Sequence, residues 1–116
     1  MVEITKDTVL DDDLLIEFKK EYKKLYRTFL VDGTEIIWRP LKRPEFKDLM
    51  NKFKDIKDEK ERIWRREEEC CRMVVLYPCA EVFNDIVENM AGVASSLCDD
   101  IYEKSGFRMI SRTSEV

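Results

Sequence analysis

The sequence predicts a mainly α fold, with about five helices packed around one core and a single β-hairpin. Three observations predict it. Of 116 residues, 44% are hydrophobic and 40% charged, with three Gly and three Pro; that is too apolar for disorder and too poor in turn residues for a sandwich of many short strands. Apolar side chains recur at helical spacing through most of the chain. Residues 28–39 alone are β-prone on both sides of a turn signal, Asp32-Gly33.

The length fits one domain. Residues 11–107 are expected to form it, with an N-terminal arm over 1–10 and a flexible tail over 108–116. The arm alternates Val2 and Ile4 with polar residues and is expected either to fray or to dock. Asp11-Asp12-Asp13 supplies an N-cap and negative charge where a helix dipole favours it. Leu14, Leu15, Phe18, Tyr22, Leu25 and Tyr26 then follow one face of a first helix.

Asp32-Gly33 predicts a two-residue type I′ hairpin turn, since Asp tolerates positive φ and Gly accepts it freely. Either Phe29, Val31, Ile36 and Trp38 or the alternate set must then face the core. Pro40 ends the return strand, having no N–H to donate. A lone hairpin also has open edges, so strand addition by a partner is expected there.

Pro44 opens a second helix in its first turn, with Phe46, Leu49, Met50 and Phe53 as its apolar stripe. The charged segment 54–60 predicts a break. A third helix runs from Asp58 through Val75, polar and projecting in its first half and apolar in its second, until Tyr77-Pro78 stops it. The fourth covers about residues 80–90 and the fifth carries Val93, Leu97, Cys98, Ile101 and Tyr102. Ser105-Gly106-Phe107 has the form of a helix C-terminal stop, a left-handed Gly followed by an apolar residue that folds back.

Composition argues against several functions. The net charge of -4 offers no positive excess for a phosphate backbone, and Glu17 and Glu21 break up the cluster of Lys19, Lys20, Lys23, Lys24 and Arg27, so no nucleic-acid partner is expected. No stretch is apolar and long enough to span a bilayer, and the start of the chain lacks the layout of a signal peptide, so a cytosolic, membrane-free location is expected.

The chain has no histidine, which removes the usual general base and the imidazole-paired nucleophiles, so no catalytic residue is assigned and no enzyme is expected. The four cysteines do not suit zinc. Cys70 and Cys71 are adjacent, and neighbouring helical side chains diverge by about 100°. Neither metal nor cofactor is expected, and buried free thiols are the better reading of Cys70, Cys71, Cys79 and Cys98. Glu67, Glu68 and Glu69 point three ways on a helix and read as solvated surface.

What remains is protein binding. Ile37-Trp38-Arg39-Pro40-Leu41-Lys42-Arg43-Pro44-Glu45-Phe46 resembles the tyrosine-arginine-proline-leucine-threonine-arginine-x-glutamate-aromatic opening of small phage tail proteins. Glu69-Cys70-Cys71, Val74-Val75-Leu76-Tyr77-Pro78, Ala91-Gly92 and Ser105-Gly106-Phe107 occur in the order seen in that group, the tail or baseplate assembly chaperones of tailed bacteriophages. The resemblance covers about residues 35–107, with Trp38 in place of the tyrosine and Pro44 inside the arginine-x-glutamate segment.

The resemblance implies a non-enzymatic role in tail or baseplate assembly, as a chaperone or a small virion component. Its partners would be tail, tape-measure or baseplate proteins, with self-association a further possibility. The location implied is the host cytoplasm, with incorporation into the virion left open. The residues expected to meet a partner are Trp38, Arg39 and Pro40 at the hairpin exit, and Tyr77 and Pro78 at the helix corner. Trp38 also has a plainer reading as a core aromatic. The alternative function is a small acidic phage adaptor or inhibitor that binds a host protein, with Asp11-Asp12-Asp13 suited to a basic groove.

Overall fold

The computed structural model describes residues 2–107 and 112–116. Among the described residues, five helices and a three-stranded antiparallel sheet follow in the order α1 Asp12–Glu21, β1 Tyr26–Phe29, β2 Glu35–Trp38, α2 Arg43–Lys52, α3 Glu59–Val74, β3 Val75–Tyr77, α4 Ala80–Asn89 and α5 Val93–Lys104. The mainly α class with a minor β component is therefore the observed one.

Several local predictions match the structure. Asp11 caps α1, its Oδ1 accepting from the Leu14 N–H at 2.9 Å. Pro44 sits in the first turn of α2. The charged segment does break the chain before Asp58 caps α3. Gly106 takes φ +85°, and the Phe107 N–H donates to the Tyr102 carbonyl while the Gly106 N–H donates to that of Glu103. Those two bonds satisfy carbonyls that the end of α5 would otherwise leave unpaired.

The first helix is shorter than its apolar spacing predicts. Tyr22 is already extended, and Tyr26 belongs to β1, where its ring stacks on Trp38 at 4.7 Å between centroids. Tertiary packing outcompetes a local period that carries on into the strand.

The hairpin turn also differs. Asp32 does not take positive φ; Gly33 does, at +89°. The Gly33 N–H donates to the Leu30 carbonyl and the Leu30 N–H to that of Thr34, so Val31-Asp32-Gly33 is a three-residue loop with Gly33 as a left-handed bulge. Asp32 serves instead through its side chain, whose Oδ1 accepts from the Thr34 N–H at 2.9 Å. The extra loop residue shifts the register by one, pairing Thr28 with Ile36 and Phe29 with Glu35. A one-residue shift sends alternate side chains to the other face. Tyr26 and Thr28 thus lie with Ile36 and Trp38, and Phe29 does not.

The third strand was not expected, since residues 75–77 read as the end of a helix. The chain turns extended at Val75, and β3 pairs Val75 with Trp38 and Tyr77 with Ile37, with a bulge between Ile37 and Trp38. Central β2 is accordingly buried on both faces. Ile36 and Trp38 join the main core with Leu41, Leu49, Cys70, Val74, Phe83, Leu97 and Ile101 from the helices. Ile37 packs on the other side with Leu14 and Phe18 of α1, joined by Val2, Ile4 and Leu10. The arm docks there. The hairpin is therefore not a lone two-stranded element with an uncovered face. Of the expected flexible tail, 108–111 lie outside the described residues and 112–116 are exposed.

Candidate interaction site

The five residues expected to meet a partner do not converge. Trp38 is 2% exposed, and its Nε1 donates to Thr28 Oγ1 at 2.9 Å. It offers a partner no surface, because β3 and the helices close over it. Pro78 is also buried. Tyr77 and Pro78 line a depression beside the arm and the hairpin turn, whereas Arg39 and Pro40 line another beside Tyr22 and Lys42.

Arg39 has an internal task. Its two terminal nitrogens donate to the two oxygens of Glu45, each at 2.8 Å, and one also donates to the Met73 carbonyl at 2.9 Å. Its guanidinium lies 5.8 Å from the centre of the Tyr22 ring. The hydrogen bond to Glu45 raises the Arg39 pKa above its ordinary value, and the same bond holds the Glu45 carboxyl below its own. Glu45 further accepts from the Lys42 N–H, which ties the start of α2 to the clasp.

Other residues near Arg39 in the sequence, and the end of α5, meet in the same region. The Leu41 N–H donates to Ser105 Oγ at 2.8 Å, and Phe46 stacks on Phe107 with centroids 4.4 Å apart. These contacts and those of Arg39 thus join β2, α2 and the ends of α3 and α5.

The cysteines are free, and three of them, Cys70, Cys71 and Cys98, are buried. The hydrogen bond with Cys98, followed by burial, pushes the Cys70 thiol up, and the same bond pulls Cys98 the other way against its burial. Burial pushes Cys71 up, and its Sγ donates to the Ala94 carbonyl at 3.4 Å. With at most 1% of their surface exposed, Cys70, Cys71 and Cys98 serve as packing groups between the helices. Among the described residues no group of three or more His, Cys, Asp or Glu side chains could hold a metal ion, and no helix is long and apolar enough to cross a membrane.

A different surface has the character of a binding site. Beside outer strand β1 a groove of about 420 Å³ runs between residues 28–31 and the corner joining α4 to α5. Leu30, Met90, Val93 and Leu97 give it an apolar lining, and Ser96 and Asp100 stand at its polar side. Phe29, whose side chain lies on the other face of β1, is 61% exposed at its rim, and Val31 is fully exposed. Leu30 and Thr34 are a hydrogen-bonded pair, so alternation along the ladder leaves the N–H and C=O of Arg27 and Phe29 on the outer edge. Backbone groups for an added strand and apolar side chains beside them therefore coincide.

The open hairpin edge was legible in the sequence as a place for strand addition, but the apolar groove beside it and the exposed Phe29 were not, because they depend on a one-residue register. With a two-residue turn, Phe29 and Val31 would have shared a face with Ile36 and Trp38. No family model matches the chain, and neither a curated protein nor a solved structure is significantly similar to it.

Proposed function

We propose that this chain is a non-enzymatic protein-interaction factor of bacteriophage tail or baseplate assembly, a chaperone or small structural component working in the host cytoplasm. The observation that carries the interaction reading is the groove beside β1, where Phe29 and Val31 are exposed next to an outer strand edge. An extended apolar segment of a partner suits it: its backbone adds to β1 and a side chain enters the lining. The phage partner is supported by the resemblance alone.

Residues of that resemblance are occupied in joining the elements, with Arg39 on Glu45, Leu41 on Ser105 and Phe46 on Phe107. They support a shared fold, and the groove supports a binding surface elsewhere on it. The test is to mix the purified chain with tail, tape-measure and baseplate proteins. Capture of one of them at micromolar concentration is expected. No binding to any of them would end the phage reading, and selective capture of a host enzyme from lysate would favour the adaptor role in its place.

A further inference from the structure

Helix α3 carries a second surface that neither the core nor the groove uses. Glu61, Trp64, Arg65, Glu68 and Arg72 follow the spacing i, i+3, i+4, i+7, i+11, which places them on one stripe. The four charged side chains are between 40% and 59% exposed, and Trp64 is 60% exposed. A solvent-facing Trp of this kind is uncommon, and Trp is enriched where interfaces concentrate their binding energy. Among the described residues the ion pairs of this stripe run along the helix, Arg65 with Glu61 at 2.7 Å and Arg72 with Glu68 at 3.6 Å, and Arg72 Nε also donates to Asn84 Oδ1 of α4 at 3.0 Å, leaving its terminal nitrogens for a second chain.

The order of these charges is self-complementary. The 16 residues Glu59–Val74 have their midpoint between Arg66 and Glu67. A second copy turned by a two-fold axis through that midpoint sets Glu61 against Arg72 of the second copy and Arg65 against Glu68 of the second copy, and the reverse. Parallel alignment in the same register would oppose like charges.

The same operation sets Trp64 opposite Glu69. Glu69 is held by Lys52 at 2.8 Å beside Phe53, and these residues and Trp64 share one depression of about 470 Å³. The indole of each copy thus has the aliphatic stems of the other copy's Lys52 and Glu69, and its Phe53 ring, to cover it.

We infer that α3 is a homodimer interface in which two copies pair antiparallel about the middle of the helix. The contact is isologous, so it closes at two subunits. It is salt-sensitive, because half-exposed charges carry much of its specificity.

Sedimentation equilibrium on the full chain over a micromolar series tests this. Wild type is expected to form a dimer that weakens as salt rises. Trp64→Ala should weaken it at least about tenfold, as loss of a central aromatic does. Glu61→Arg/Glu68→Arg and Arg65→Glu/Arg72→Glu should each be monomeric alone and form a dimer when mixed in equal amounts. Each double variant also loses its pairs along the helix, but mixing cannot repair those, so recovery reports the contact between chains. A wild type that is monomeric throughout, a dimer indifferent to Trp64→Ala, or charge variants that fail to associate on mixing while folded by circular dichroism would overturn the inference.

Discussion

The guanidinium of Arg39 and the carboxylate of Glu45 form two parallel hydrogen bonds of 2.8 Å, fastening the exit of β2 to the first turn of α2. The third tie, from Arg39 to the Met73 carbonyl, brings in the end of α3, just where the chain turns extended and becomes β3. One ion pair therefore sits at the junction of three elements, largely shielded from solvent. Arg39→Ala should lower stability by about 2 to 3 kcal/mol, the range for charge-assisted hydrogen bonds whose partner is left behind. Urea unfolding at neutral pH measures it.

The same pair gives stability a dependence on pH. The folded Glu45 carboxyl lies below its ordinary value of 4.5, because Arg39 favours its charged form. The unfolded chain therefore takes up that proton first, and the stabilisation is complete above that value and lost as pH falls through the folded one. The raised Arg39 value makes its own contribution fade only in strong alkali. Urea midpoints taken downward from neutral pH should fall more steeply in wild type than in Glu45→Gln.

Trp38 should behave as a core residue. Its ring stacks on Tyr26 and its Nε1 is bound to Thr28 beneath the helices. Trp38→Ala should cost about 3 to 5 kcal/mol, the range for large aromatic truncations in cores. Trp64→Ala should leave the melting temperature of the monomer nearly unchanged. Thermal denaturation of the two variants side by side checks the contrast.

The turn can be tested at two adjacent positions. Gly33→Ala meets no neighbouring atom, so its cost is that of a left-handed backbone alone, about 1 to 2 kcal/mol. Asp32→Gly would suit a two-residue turn with positive φ at both positions. In the observed loop it removes the bond to the Thr34 N–H, and the melting temperature should fall.

Thiol reactivity should follow burial. In the folded protein a thiol reagent should modify Cys79, which is half-buried, and spare Cys70, Cys71 and Cys98. All four should react in denaturant. Early modification of Cys98 would contradict the packing of α3 against α5.

What the sequence could and could not disclose follows from the range of the interactions. The Asp11 cap, Pro44 in the first turn of α2, the break before Asp58 and the Gly106 stop depend on residues a few positions apart, and all were legible. The strand Val75–Tyr77 depends on Ile37 and Trp38, far away in the chain, and nothing local distinguishes it from a helix end. Asp32-Gly33 is compatible with either turn, and the choice decides whether Phe29 faces the core or solvent. The candidate groove stands on that choice, so it became visible only with the register.

The most direct test of the central claim, that the groove beside β1 receives a partner, is calorimetric titration of a captured tail protein into wild type and Phe29→Glu. Phe29 is mostly exposed and outside the main core, so the substitution should leave the melting temperature unchanged while weakening binding at least about tenfold. Equal affinity of the two proteins for the same partner would contradict the account.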